Sequence, residues 1–296
     1  MRLHQSLVFP GTAFSGEPLC LDHTIYHHSL SVYPHSFSPI LRPKSNHEYG
    51  YSVQAEIDYA MVNPRWIMDD RYYSRRTLAD EASQTYISFI FLDTSPCILG
   101  YRQSNPANWD PCSSTYPTCS LQNTDDDFEG KCQFHSNIVG QSCETQYSWF
   151  KQQLDAVPAN DWLIVTGHHP IDEVNVADFT SLLQNHGFSI YFNGHAHTLT
   201  QYKIDGSGAY VTSGAGALVD TADQSHEITR QKVLGMDPLP QLGQNHTYTT
   251  VFNQKVAGFT QSVFSQDFST LTTSFISYTG ETVHKFSVSK KGQLLA

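Results

Sequence analysis

Two histidines at positions 195 and 197, one small residue apart and preceded by a glycine, have the types and spacing to bind a metal. They close the stretch Ser189-Ile190-Tyr191-Phe192-Asn193-Gly194-His195-Ala196-His197, where a short apolar run of strand character stops at Gly194. Side chains at i and i+2 of an extended backbone point the same way, and imidazole is the commonest protein ligand for zinc- and iron-type metals. An H-x-H pair alone is also a common surface feature. A second stretch of the same build, Trp162-Leu163-Ile164-Val165-Thr166-Gly167-His168-His169-Pro170, adds weight, because a buried-type strand again stops at Gly-His. Upstream, Asn46-His47-Glu48-Tyr49-Gly50-Tyr51 is a polar, aromatic, glycine-punctuated loop of the kind that carries sites.

The elements that must position these residues are legible as alternating strand and helix patterns. Thr85 to Asp93 is apolar nearly throughout and reads as a central strand. Glu144 to Ala156 has Tyr147, Phe150 and Leu154 at helical spacing, with Pro158 beyond its end. Trp162–Thr166 is the next strand, Val176 to His186 a helix closed by Gly187, and Phe188–Asn193 another strand. This β-loop-α-β order belongs to an α/β layered fold. Met61 to Tyr73 reads as strand and turn, and Leu199–Ile204 with Ala209–Thr212 as a hairpin across Asp205-Gly206-Ser207-Gly208. Ser213-Gly214-Ala215-Gly216 lacks a Walker lysine and dinucleotide spacing, so it reads as a close-packed turn. Residues 221–250 are polar and loop-like, and Gly258–Tyr278 and Val283–Val288 alternate like strands at sheet edges. In open α/β sheets ligands gather outside the carboxyl ends of the strands, so Asn46, His168, His195 and His197 are expected to converge.

Composition excludes several partners. The formal net charge of −11 argues against nucleic acid or anionic membranes, which need lysine and arginine stripes. Runs such as Tyr86–Leu92 are too short to span a bilayer, so no membrane span is expected, and the N-terminus lacks the order of a signal peptide. Cys97, Cys112, Cys119, Cys132 and Cys143 crowd into one polar region, while Cys20 stands apart. Two disulfides plus one free or distant thiol is the simplest pairing, which points to an oxidising compartment. Asn245-His246-Thr247 is an N-glycosylation sequon that fits secretion. The acidic run Asp125-Asp126-Asp127-Phe128-Glu129 lacks the spacing of an EF-hand loop and reads as solvated.

The three site stretches together resemble the calcineurin-like metallophosphoesterases, and most nearly the purple, tartrate-resistant type acid phosphatases. Ser-Asn-His-Glu at 45–48 is similar to their Gly-Asn-His-Asp/Glu motif, Gly-His-His-Pro at 167–170 to Gly-His-x-Pro, and Gly-His-Ala-His at 194–197 to Gly-His-x-His. The likeness runs co-linearly over residues 45–296. It implies an α/β/β/α sandwich of two mixed sheets with a binuclear metal centre at one edge, iron paired with zinc, manganese or a second iron. Carried over by position, Asn46, His168 and His195 would bind the divalent metal and His197 the first, usually ferric, metal. His47 would assist the leaving group, and His169 would border the substrate. The implied activity is hydrolysis of phosphate monoesters, small esters or phosphoproteins, by a metal-activated hydroxide at acid pH, in a secreted, lysosomal or vacuolar setting.

Residues 1–44 depart from this pattern. They carry five of the fifteen histidines, with Glu17 and Asp22 as their only carboxylates, and show no sustained period. The family's Gly-Asp-x-Gly and Gly-Asp-Asn-Phe-Tyr elements have no counterpart before Ser45, so the first β-α-β elements are expected to be missing. Residues 1–44 then read as an unmatched segment, 45–296 as the phosphoesterase domain, and 97–143 as a cysteine-containing insertion. His197 alone would not hold ferric iron, which wants hard anionic oxygen donors. The alternative function is therefore an impaired homologue that keeps the divalent site in part and binds at most one ion. A secreted binding module docking through the cysteine loop is a further alternative.

Overall fold

The computed structural model describes residues 6–9, 40–41, 43–50, 52–102, 133–216, 219 and 246–295, with the backbone alone at 6–9, 40 and 47. Most of the 1–44 segment, Cys20, Cys112, Cys119, Cys132, the acidic run at 125–129, Asn245 of the sequon and the His47 side chain lie outside the described residues.

In chain order the strands are β1 (Ser6–Phe9), β2 (Ile40–Leu41), β3 (Trp66–Ile67), β4 (Tyr73–Asp80), β5 (Thr85–Phe91), β6 (Trp162–Thr166) and β7 (Ile190–Asn193). They continue with β8 (Leu199–Ile204), β9 (Ser207–Ser213), β10 (Tyr248–Gln254), β11 (Gly258–Phe264), β12 (Thr270–Ser277), β13 (Thr282–Ser289) and β14 (Leu294–Leu295). The helices are α1 (Val53–Val62), α2 (Phe134–Val139), α3 (Cys143–Ala156) and α4 (Phe179–His186). Seven strands form a mixed sheet in the order β10-β8-β9-β7-β6-β5-β4, with β5, β6, β7 and β9 parallel. Five form a second sheet, β1-β11-β12-β13-β14. The resemblance implies two mixed sheets; here the second is antiparallel in every pairing. Hairpin connections between β11, β12 and β13 leave no room for the crossover that parallel pairing needs.

The period-two alternation of the central strands builds two cores. Ile87, Phe89 and Phe91, with Trp162, Ile164, Ile190, Phe192 and Val211, face the second sheet's Phe264, Leu271, Phe275 and Val288. The intervening residues, Ile90, Leu92, Leu163, Val165, Tyr191 and Tyr210, face α3 and α4 through Phe150, Leu154, Phe179 and Leu183. Each large side chain buried this way contributes about 1.5–3 kcal/mol. The near-continuous apolar run of β5 is thus a strand covered on both faces, as its composition predicts.

Several boundaries move for identifiable reasons. The helix expected from Val176 starts at Phe179, because Asp178 caps it by accepting from the Ser181 backbone N–H. It ends at Gly187, whose φ of 80° suits glycine. Met61 lies in α1 rather than in a strand; Ser52 caps that helix by accepting from the Ala55 N–H. β10 begins in the last three residues of the stretch expected to be loop, and β12, expected near an edge, is the central strand of the second sheet. No helix among the described residues is long and apolar enough to cross a membrane.

One charged clamp ties three elements together. His246 reaches Asp205 Oδ2, in the β8–β9 turn, at 2.6 Å from Nδ1, and Asp178 Oδ1, the α4 cap, at 3.1 Å from Nε2. Burial disfavours the imidazolium, but the hydrogen bonds and charges of Asp205 and Asp178 outweigh it and raise the His246 pKa. A raised histidine pKa contributes stability that is complete below the unfolded value and is lost as pH rises through the folded one. His246→Ala should therefore lower the urea midpoint more at about pH 5 than at about pH 9. Equal losses at the two pH values would contradict the clamp.

Candidate metal centre

The site is assembled from strand ends. β6 and β7 run parallel, so both Gly-His turns emerge at the same carboxyl edge of the large sheet. The backbone locks the turns together: the N–H groups of Gly194 and His195 both donate to the His168 carbonyl, at 3.0 and 2.8 Å. Close packing explains the small residues here. A Cβ on Gly167 would collide with the Tyr191 hydroxyl oxygen, which itself donates to the His169 carbonyl. A Cβ on Gly214 would overlap the Ala196 carbonyl oxygen and stand 2.5 Å from that of Gly194. The turn after β9 is therefore close-packed as expected, and it backs the histidine loop.

The Asn46 loop arrives from the other side. Lys44 is fully buried and pairs with Glu56 in the first turn of α1 at 2.8 Å, while also donating to the Val53 carbonyl at 2.7 Å. A buried ammonium needs both partners, so this contact fixes the two residues before Asn46. After Asn46 the chain makes a 3-10 turn, His47–Gly50, closed by the Tyr49 N–H on the Asn46 carbonyl. Tyr49 is buried and donates its hydroxyl to Asp93 Oδ2 at the end of β5. Burial pushes the Asp93 carboxyl up to about 7, against the opposing pull of that hydrogen bond and of the Lys44 charge. Gln146 of α3 completes this corner, accepting from the Asp93 N–H and donating to its carbonyl.

Three donor atoms meet where the loops converge. His168 Nε2 lies 2.9 Å from Asn46 Oδ1 and 3.2 Å from His195 Nδ1. Two ligands each about 2.1 Å from one ion sit about 3.0–3.4 Å apart at octahedral to tetrahedral angles. Both spacings from His168 Nε2 are close to those of ligands that share one small divalent cation, with two imidazoles and an amide oxygen as the candidate set. His168 is buried and His195 half-buried, which leaves one open side.

His169 completes a three-histidine cluster whose ligand atoms all lie within 4.8 Å. Its ring nitrogens are both engaged by protein, Nδ1 with Thr94 Oγ1 at 2.8 Å and Nε2 with the Tyr101 hydroxyl at 2.9 Å. Both of its nitrogens thus already have protein partners. His197 is half-buried, and among the described residues no group of three or more possible ligands includes it. The same cluster contains no carboxylate.

Thr94, Tyr101, Tyr49 and Asp93 escape a reading of motifs. A signal existed for two of them: Asp93-Thr94 is a polar pair directly after the apolar run of β5, the pattern that marks His168 and His195. Tyr101 has none, because it lies in the cysteine-rich stretch, on a 3-10 turn, Leu99–Arg102. That turn is secured by the Cys97–Cys143 disulfide and by Arg102, which donates to the carbonyls of Pro96, Ile138 and Gln141. The two ends of the expected 97–143 insertion are thus joined covalently.

With this geometry, the family follows. Residues 46–199, just over half of the chain, match the model of the calcineurin-like phosphoesterases, and the chain belongs to that family. Among curated proteins it is 29% identical over 184 residues to tartrate-resistant acid phosphatase type 5 of Mus musculus, covering 59% of this chain and 48% of that protein. The Homo sapiens protein of the same name is 28% identical, with the same coverage. Purple acid phosphatase 7 of Arabidopsis thaliana is 22% identical over 172 residues, covering 58% and 46%. The chain spans about half the length of the curated relatives it matches.

The glycine packing generates a prediction. Gly214→Ala forces a backbone shift against Ala196 and should cost about 2–3 kcal/mol in urea unfolding. A loss below about 0.5 kcal/mol, the range of neutral surface changes, would show that the histidine loop is not seated on that turn.

Proposed function

We propose that this chain is a metal-dependent phosphoesterase of the acid phosphatase type, acting on phosphate monoesters. The observation that carries the reading is the convergence of Asn46 Oδ1, His168 Nε2 and His195 Nδ1 at ligand spacing in a member of this family. All three donors are neutral, so a divalent ion bound there would keep its charge, polarising a phosphoryl oxygen and acidifying water. Asn46, His168 and His195 hold that site, and the half-buried edge at His195 admits the ester. His47, adjacent to Asn46 in the loop, is assigned proton delivery to the departing alkoxide, a role open to a histidine charged at acid pH. His169 walls the pocket behind the ligands and orients them through Tyr101 and Thr94. By position His197 would serve a second, iron-type ion, which it could hold only with further, anionic oxygen ligands. The disulfide fits an oxidising compartment, and we assign the chain to a secreted, lysosomal or vacuolar setting.

A second reading rests on the absence of a carboxylate from the histidine cluster among the described residues. The chain would then bind one divalent ion and turn over little or no ester.

Purified chain incubated with iron and zinc, then desalted, separates the two. Two ions per chain with hydrolysis of a chromogenic phosphate ester at acid pH, abolished by chelator, is the expected result. One bound ion with no hydrolysis would overturn the enzyme in favour of the second reading.

A further inference from the structure

An asparagine ligand poses a problem that histidine and carboxylate ligands do not. Its oxygen and its NH2 group have nearly the same shape, and only the oxygen can face a cation. Something must therefore select the orientation of the Asn46 amide. Asn46 is buried, and its Nδ2 finds its acceptor 3.4 Å away, in the Tyr101 hydroxyl. Its Oδ1 is thereby turned toward His168 Nε2.

We infer that Tyr101 is the positioning residue that selects the ligating orientation of the Asn46 amide, an inference that rests on the metal reading above. Its hydroxyl sits between two partners. It accepts from Asn46 Nδ2, so its own hydrogen is directed at His169 Nε2, 2.9 Å away. His169 then carries its proton on Nδ1 and donates to Thr94 Oγ1 at 2.8 Å. The donors along Asn46, Tyr101, His169 and Thr94 point one way, an assignment made by the network as a whole. A flipped amide would aim N–H at the ligand position. It would also make Tyr101 surrender its hydrogen to Asn46 and leave His169 without that donor.

Burial makes the selection strict. Tyr101 and His169 are each 1% exposed and the Thr94 side chain is buried, so solvent is poorly placed to substitute for a missing partner. The Tyr101 ring is held edge-on to Phe134 and to His169, which sets the hydroxyl's position independently of its hydrogen bonds. Tyr101→Phe should therefore retain the packing and remove only the selector.

The test is a zinc titration of the purified full chain by calorimetry, in four forms: wild type, Tyr101→Phe, Asn46→Asp and the double variant. The carboxylate that Asn46→Asp introduces has two equivalent oxygens and needs no selector. The inference expects Tyr101→Phe to weaken zinc about ten-fold when Asn46 is intact, the usual effect of losing a ligand's hydrogen-bond partner. In the Asn46→Asp background the same change should weaken it by less than about two-fold, since no orientation is left to select. An unchanged affinity for Tyr101→Phe, or the same loss in both backgrounds, would overturn the inference. Wild-type chain that takes up no zinc overturns the metal reading itself, which is a distinct outcome. Should Tyr101→Phe fail to fold, Thr94→Val replaces it. That variant cuts the far end of the relay and should weaken zinc only when Asn46 is intact; a loss in neither background, or in both alike, overturns the inference.

Discussion

The contact between Asn46 Oδ1 and His168 Nε2 joins segments 122 residues apart, and much of the fold exists to make it possible. Neither group could be placed by its own loop. His168 stands where β6 stops, fixed by the parallel pairing of β6 with β7 and by two backbone donors to its carbonyl. Asn46 is held from below by the buried Lys44–Glu56 pair and from the side by Tyr49 on Asp93. Polar groups in so dry a setting each need a partner, since an unsatisfied one costs about 1–3 kcal/mol. The hydrogen-bond network around the centre is thus a requirement of burial as much as of chemistry.

Two titrating groups bias the molecule the same way. Asp93 has its pKa raised to about 7 by burial, so its contribution to stability is complete below its ordinary value and is lost as pH rises through about 7. His246, raised by its two aspartates, likewise stabilises most where it is charged. Both contributions fade as pH rises. Both lie in ties that hold functional loops, one at the Asn46 turn and one between α4, the β8–β9 turn and the entry to β10. Both ties are therefore firmest under acid conditions.

What could be read from sequence follows the range of the interactions involved. His168 and His195 were legible because a strand that stops at Gly-His is a local pattern, and the glycine is needed for a local reason, close packing on Tyr191 at Gly167. The central strands were legible because burial on both faces leaves a continuous apolar run. α1 was not, because only Val53 and Glu56 of its ten residues are buried, so no apolar stripe announces it. Tyr101 and Thr94 were silent as well. Their roles depend on partners 55 and 75 residues away, and nothing in the type of either residue marks such a bond. Spacing alone likewise pairs His195 with His197, whereas in the fold the ligand atoms of His195 gather with those of His168 and His169.

The central claim is that one divalent ion sits between Asn46, His168 and His195. X-ray absorption at the zinc edge, on purified chain carrying one equivalent of zinc, examines that ligand set directly. The account predicts a shell of nitrogen and oxygen at about 2.0–2.2 Å, with the outer-shell scattering of two imidazoles and no sulfur. A sulfur shell at about 2.3 Å, or a first shell without imidazole, would contradict it.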